Sequence, residues 1–129
     1  MHDILVPADP ADLIDRIIAL QLRMDATPDN AARSDLARRQ ALLTRLAGRV
    51  MPADQQMADL TQQLHSARYD LVSLTLDLRD CDARKDYGIA FVALSQALLA
   101  AMATIDATKA AINICADLAA PPALRDHVI

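Results

Sequence analysis

The chain has 129 residues, 53% of them hydrophobic but only 2% aromatic, and a formal net charge of −4. That length makes one ordinary domain, and with Phe91, Tyr69 and Tyr87 as its only rings, its core must be built from Leu, Ile, Val, Met and Ala. Twenty-six alanines and nineteen leucines against two glycines exclude a β-rich fold, and the acidic balance excludes a general nucleic-acid binder, which would carry a basic stripe.

Residues 1–8 read as an extended lead-in, because Pro7 keeps its predecessor out of the helical region. No basic n-region stands at the start, so the sequence reads as a cytoplasmic chain. Cys81 and Cys115, outside any C-x-x-C, then read as free thiols serving as small buried hydrophobes.

The first helix is expected to open at Asp9-Pro10-Ala11-Asp12. Asp9 is a good N-cap, Pro10 fits the first helical position, and Asp12 complements the helix dipole. Leu13, Ile17, Leu20 and Met24 form its apolar stripe, and the helix should end near Asp25. Thr27-Pro28-Asp29-Asn30 repeats the start signal for a second helix over about 28–49, with Leu36, Leu43, Leu46 and Val50 on its inner face. Arg33, Arg38, Arg39, Arg45 and Arg49 read as its solvated face. Pro52 closes the segment.

A third helix is predicted from about Ala53 to Ala83. Met57, Leu60, Leu64, Ala67, Leu71, Leu74, Leu78 and Cys81 recur at alternating spacings of three and four, the seam of a coiled coil. After a turn at Arg84–Gly88, a fourth helix runs to about Leu118, ahead of Pro121-Pro122. Its seam is Phe91, Leu94, Leu98, Ala101, Ile105, Thr108, Ile112 and Cys115, flanked by a second stripe of mostly small residues. The two long helices should pair as an antiparallel hairpin, with the two shorter ones lying against it. Residues 119–129 read as a non-helical tail.

Tyr87 to Ile105 is a run of 19 residues without a charge, close to the length of a bilayer span. Its alanine content, Ser95, Gln96 and Thr104, and the lack of interfacial anchors favour a buried helix of a soluble bundle over a span. Being apolar all round, it should be covered on every side, partly by a second subunit.

Two segments resemble a family of small bacterial all-helical proteins, a domain of unknown function. Val6 to Arg23 is similar to its opening segment, V-P-V-S-x-G-E-L-I-D-K-I-T-I-L-E-I-K. Asp86, Gly88, Phe91, Leu94, Lys109, Ile112 and Asn113 match a later segment, D-F-G-x-x-F-x-E-L-A-R-x-V-Y-x-x-N-D-x-R-x-x-L-K-x-x-I-N, at the same spacing, with Tyr87 in place of its Phe. The resemblance covers most of the chain and implies a divergent member of that family. The departures are on the fourth helix: the family's Asn, Asp and Arg fall on Met102, Ala103 and Ile105, its Glu and Arg on Ala93 and Gln96, and its Tyr on Leu99. Polar positions have become apolar, which favours a contact surface over a catalytic site.

No nucleotide-binding glycine loop or nucleophile elbow occurs. His2, His65 and His127 are scattered, and no metal site is expected. Asp77, Asp80, Cys81 and Asp82 crowd one helix end, but Arg79, Arg84 and Lys85 stand beside them as counterions.

The reading is therefore an all-α antiparallel bundle of four helices in a single domain. Its expected role is a non-enzymatic assembly or adaptor subunit, with a homodimer or another helical protein as partner and no cofactor, nucleic acid or membrane. Leu98, Leu99, Met102 and Ile105 are the expected interface residues, and Asn113 and Lys109 are expected to set register. The alternative is a ligand site from Asp12, Asp15, Arg16, Lys109 and Asn113. Its enzymatic form resembles the small all-helical chorismate mutases, with Arg16, Arg23 and Lys109 holding a dicarboxylate. Asp12 and Arg16, four apart, are also spaced as an ordinary helix-surface pair.

Overall fold

The computed structural model describes residues 9–119; the expected lead-in and the tail from 120 lie outside them. The described residues form four helices and no strand: α1 (Pro10–Ala26), α2 (Asn30–Val50), α3 (Gln55–Ala83) and α4 (Ile89–Ala119). The all-α bundle with a helical hairpin is thus the observed architecture.

Aspartates start the first three helices. Asp9, Asp29 and Asp54 are N-caps whose carboxylates accept from the N–H groups of Asp12, Ala32 and Met57, each satisfying a donor that the helix cannot. Pro10 stands at the first helical position as expected. α2 begins at Asn30 rather than at Pro28, because Asp29 takes the cap.

α3 and α4 form the longest contact, an antiparallel hairpin in which every predicted seam residue is buried or half-buried. Leu64 and Ile112 are fully enclosed. The turn between them is a Schellman cap: the Asp86 N–H reaches the Cys81 carbonyl at 2.8 Å and the Lys85 N–H the Asp82 carbonyl at 3.0 Å. Lys85 carries the left-handed conformation, φ 54°, that this motif demands.

The shorter helices depart from expectation. α1 makes the main contact with the hairpin, touching both α3 and α4, whereas α2 packs chiefly on α1 and meets the hairpin only slightly. α1 uses two faces. Ala11, Ile14 and Ile18 enter the hairpin core with Met57, Leu64, Ile105 and Ile112. Leu13 and Leu20 are buried apart from that cluster, and Leu20 lines a cleft with Leu42 and Leu43 of α2. The predicted stripe Leu13-Ile17-Leu20-Met24 thus serves the α2 side, and the hairpin side is a second stripe. On α2 only Leu36 is buried, and Val50 is exposed. Gln40 ties the helices by donating to the Ile17 carbonyl and to Gln21 Oε1.

Burial along the hairpin is therefore uneven. In the base half, where α1 lies, Ile105, Thr108, Ile112 and Cys115 are all buried. Toward the turn, Leu71, Leu74 and Leu78 of α3 and Phe91, Leu94, Leu98 and Ala101 of α4 are only half-buried. The expectation that α4 is covered all round fails within one chain: a third helix of 17 residues, roughly 25 Å long, cannot shield the whole hairpin.

Candidate functional site

Two places carry the sequence-predicted residues: a charged cluster where α1 meets the hairpin, and the uncovered half of the hairpin itself.

In the cluster, Asp15 of α1 takes a two-pronged contact from Arg68 of α3, with Nε at 2.7 Å and Nη2 at 2.5 Å. Lys109 of α4 reaches Asp12 at 2.8 Å and Asp15 at 3.5 Å. Asn113, one turn later, accepts from the Ala11 backbone N–H at 2.9 Å. The helix start places these groups: with Asp9 capping the Asp12 N–H, Ala11 keeps a buried donor that only α4 can satisfy. The Asp15 hydrogen bond raises the Arg68 pKa, against the opposing pull of burial. Lys109 is raised mainly by its bond to Asp12.

Four of the five predicted ligand residues, Asp12, Asp15, Lys109 and Asn113, are thus brought together. Arg16 is not among them. It lines the α1–α2 cleft with Arg23 and Arg39 and, among the described residues, makes no ion pair. The expected Asp12–Arg16 pair is replaced by Asp12–Lys109, because Lys109 projects from an apolar helix and needs a carboxylate nearby. Arg68 was not anticipated; its flank position on α3, seven residues after Thr61, carried no signal until α1 was placed. Two cations face two carboxylates, each committed to the other, and the Asn113 oxygen is committed to Ala11. The arrangement clamps three helices in register.

The interface candidates divide. Ile105 is buried in the hairpin core and Leu98 is half-buried at the seam, so both serve the intramolecular contact. Leu99 and Met102 are 65% and 47% exposed. Seven-residue steps define their face. From Lys109, which faces α1, the steps lead to Met102 and Ser95; from Asn113 they lead through Asp106 to Leu99 and Val92. On α3, Arg68 is followed by Thr75 on the same flank, with Val72 beside it. The uncovered face is the continuation of the one that holds α1. Val72 and Val92 are about half exposed.

The opposite face of the hairpin is different in kind. Gln63, Ser66, Asp70 and Ser73 of α3 border Ala97, Ala100 and Thr104 of α4 in a shallow polar-rimmed groove. Among the described residues no group of three or more His, Cys or Asp side chains is placed to hold a metal ion. Asp80 pairs with Arg84, and Asp82 accepts from the Tyr87 hydroxyl. Both cysteines are buried free thiols, and burial pushes the Cys115 thiol up.

No family model, no curated protein and no solved structure matches this chain. The resemblance to the helical family rests on the two segments quoted for it.

Proposed function

We propose that the protein is a non-enzymatic assembly subunit that docks the uncovered half of its α3–α4 hairpin against another helical element. The observation that carries this reading is the exposed stretch of Val72, Val92, Leu99 and Met102, on the same face that α1 covers nearer the base. Burying one such side chain contributes about 1.5–3 kcal/mol, so leaving several in water is costly unless they meet a partner. The closed charge pairing of Asp12, Asp15, Arg68 and Lys109 supports the same reading, since no charged group of the cluster is left over for a ligand.

A second surface is compatible with the same apolar helix. Ile89–Leu118 is long and apolar enough to cross a membrane by length and composition. Crossing would separate α4 from α3, because α3 carries Asp70, Asp77 and Asp80, and would leave Asp12 without Lys109. Those losses favour a protein partner.

The test compares wild type with Met102→Asp by size exclusion with light scattering, and with vesicle flotation. Met102 is exposed in the single chain, so the substitution leaves the fold intact. The expected result is an oligomeric wild type that the substitution dissociates. Unchanged mass, solubility and Tm, or wild-type protein floating with phosphatidylglycerol vesicles as a monomer, contradicts the reading.

A further inference from the structure

α2 carries five arginines against one aspartate, in a chain whose formal net charge is −4. One of them, Arg39, meets Arg16 and Arg23 of α1 around a cleft of about 390 Å³ between the two helices. Spacing explains the convergence. Arg16 and Arg23, seven residues apart, lie on one face of α1 with Ala19 and Leu20 between them. On α2, Leu42 and Leu43 follow Arg39 by three and four residues and share its face. Gln40, bonded to the Ile17 carbonyl and to Gln21, sets the relative height, so that Arg39 stands opposite the middle of the stretch from Arg16 to Arg23.

Two of these three arginines lack a counter-ion. Arg39 is paired with Asp35 at 3.1 Å. Arg16 and Arg23 make no ion pair and no side-chain hydrogen bond among the described residues. The carboxylate that spacing offers to Arg16 is Asp12, which Lys109 takes at 2.8 Å. Arg23 stands in the last turn of α1, where the helix dipole favours a cation without neutralising it. Beneath the guanidinium groups the floor of the cleft is apolar: Leu20 is buried, Leu43 half-buried, and Leu42 60% exposed. Ala19, small and exposed between the two arginines, keeps that floor open.

A cationic rim over an apolar floor fixes the chemistry of an occupant. Guanidinium groups select a carboxylate or phosphate oxygen through charge-assisted bonds, and the leucines select an apolar body attached to it. A bare inorganic anion would leave Leu42 in water, and a neutral hydrocarbon would leave Arg16 and Arg23 unpaired. A nucleic-acid strand uses stacking rings along a basic groove, and no aromatic residue lines this cleft. We infer that the α1–α2 cleft binds a single amphiphilic anion, an alkyl or acyl chain with a carboxylate or phosphate head, with Arg16 and Arg23 on the head and Leu20, Leu42 and Leu43 along the chain. The site shares no residue with the uncovered hairpin face and does not depend on how that face is used.

Isothermal titration of the full chain with decyl phosphate, kept below its micelle-forming concentration, tests it. One molecule should bind per chain. Arg16→Gln with Arg23→Gln should weaken binding about tenfold or more at unchanged Tm, because both side chains are exposed. Ala19→Glu should do the same with every arginine in place: its carboxylate lies three residues after Arg16 and four before Arg23, and supplies the missing counter-ion from within the chain. Arg45→Gln with Arg49→Gln removes the same charge from α2 outside the cleft and should leave the affinity unchanged, as should Met102→Asp. An equal loss in the Arg45 and Arg49 variant overturns the inference, since diffuse charge rather than the cleft would then hold the anion. Equal binding of decyltrimethylammonium or of inorganic phosphate also overturns it, by removing the head or the chain from recognition. Phosphatidylglycerol vesicles separate a bilayer from a single molecule: binding to vesicles but not to monomeric decyl phosphate overturns the single-molecule site in favour of a membrane surface, and binding to neither overturns it outright.

Discussion

Asn113 sits one turn beyond Lys109 on α4, and its side-chain oxygen completes the hydrogen-bond account at the start of α1. Pro10 has no N–H, Asp9 takes those of Asp12 and Leu13 through its carboxylate and carbonyl, and Asn113 takes that of Ala11. Asn113→Ala leaves a fully buried N–H unpaired, a loss of about 1–3 kcal/mol, readable as a lower urea midpoint with an unchanged slope. Lys109 gives a pH signature. Its folded-state pKa is raised above the ordinary 10.5 by Asp12. Its contribution is therefore fully present below 10.5 and is lost as the pH rises through the raised value. Lys109→Met should cost about 1 kcal/mol near neutrality, and the Tm gap from wild type should close above that pH. The sequence marked Asp12, Asp15, Lys109 and Asn113 because charged and amide side chains on apolar stripes demand partners. It could not mark Arg68, which looks like any exposed arginine on a polar flank until α1 is docked beside it. Arg16 misled for the converse reason: spacing of four from Asp12 made a local pair plausible, and Lys109 competes for that carboxylate successfully.

The helices themselves were legible because their signals are local. Asp caps, Pro10 and the three-four spacing of the seams set the type of every element and its boundaries to within about two residues. The turn was legible in place but not in conformation. Of Arg84–Gly88 the glycine is the obvious candidate for a left-handed residue, yet Lys85 takes that role and Gly88 does not. Lys85→Gly should accordingly stabilise the hairpin by about 1 kcal/mol, measured as a raised Tm, provided the exposed lysine makes no other contribution. Which face of α1 meets which neighbour was not legible. Two apolar stripes compete on a short helix, and Leu13-Ile17-Leu20-Met24 has the cleaner spacing, but the hairpin core accepts Ala11, Ile14 and Ile18. Alanine at position 11 lets the backbone come close enough for the bond to Asn113.

At the scale of the whole molecule the chain is layered: α2 on α1, α1 on the base of the α3–α4 hairpin, and nothing within the described residues on the rest of it. The excess of apolar residues on α4 was visible in the sequence, but its consequence depends on how far α1 and α2 reach, which only the packing decides. Because α2 packs chiefly on α1, the hairpin keeps an apolar face toward its turn, and the proposed assembly would remove it from water. The solution mass of the full chain by light scattering, from micromolar to hundreds of micromolar, tests this most directly. The account predicts twice the 14.0 kDa of one chain, falling to a single chain in Met102→Asp. A mass of one chain at every concentration, unchanged by that substitution, would contradict it.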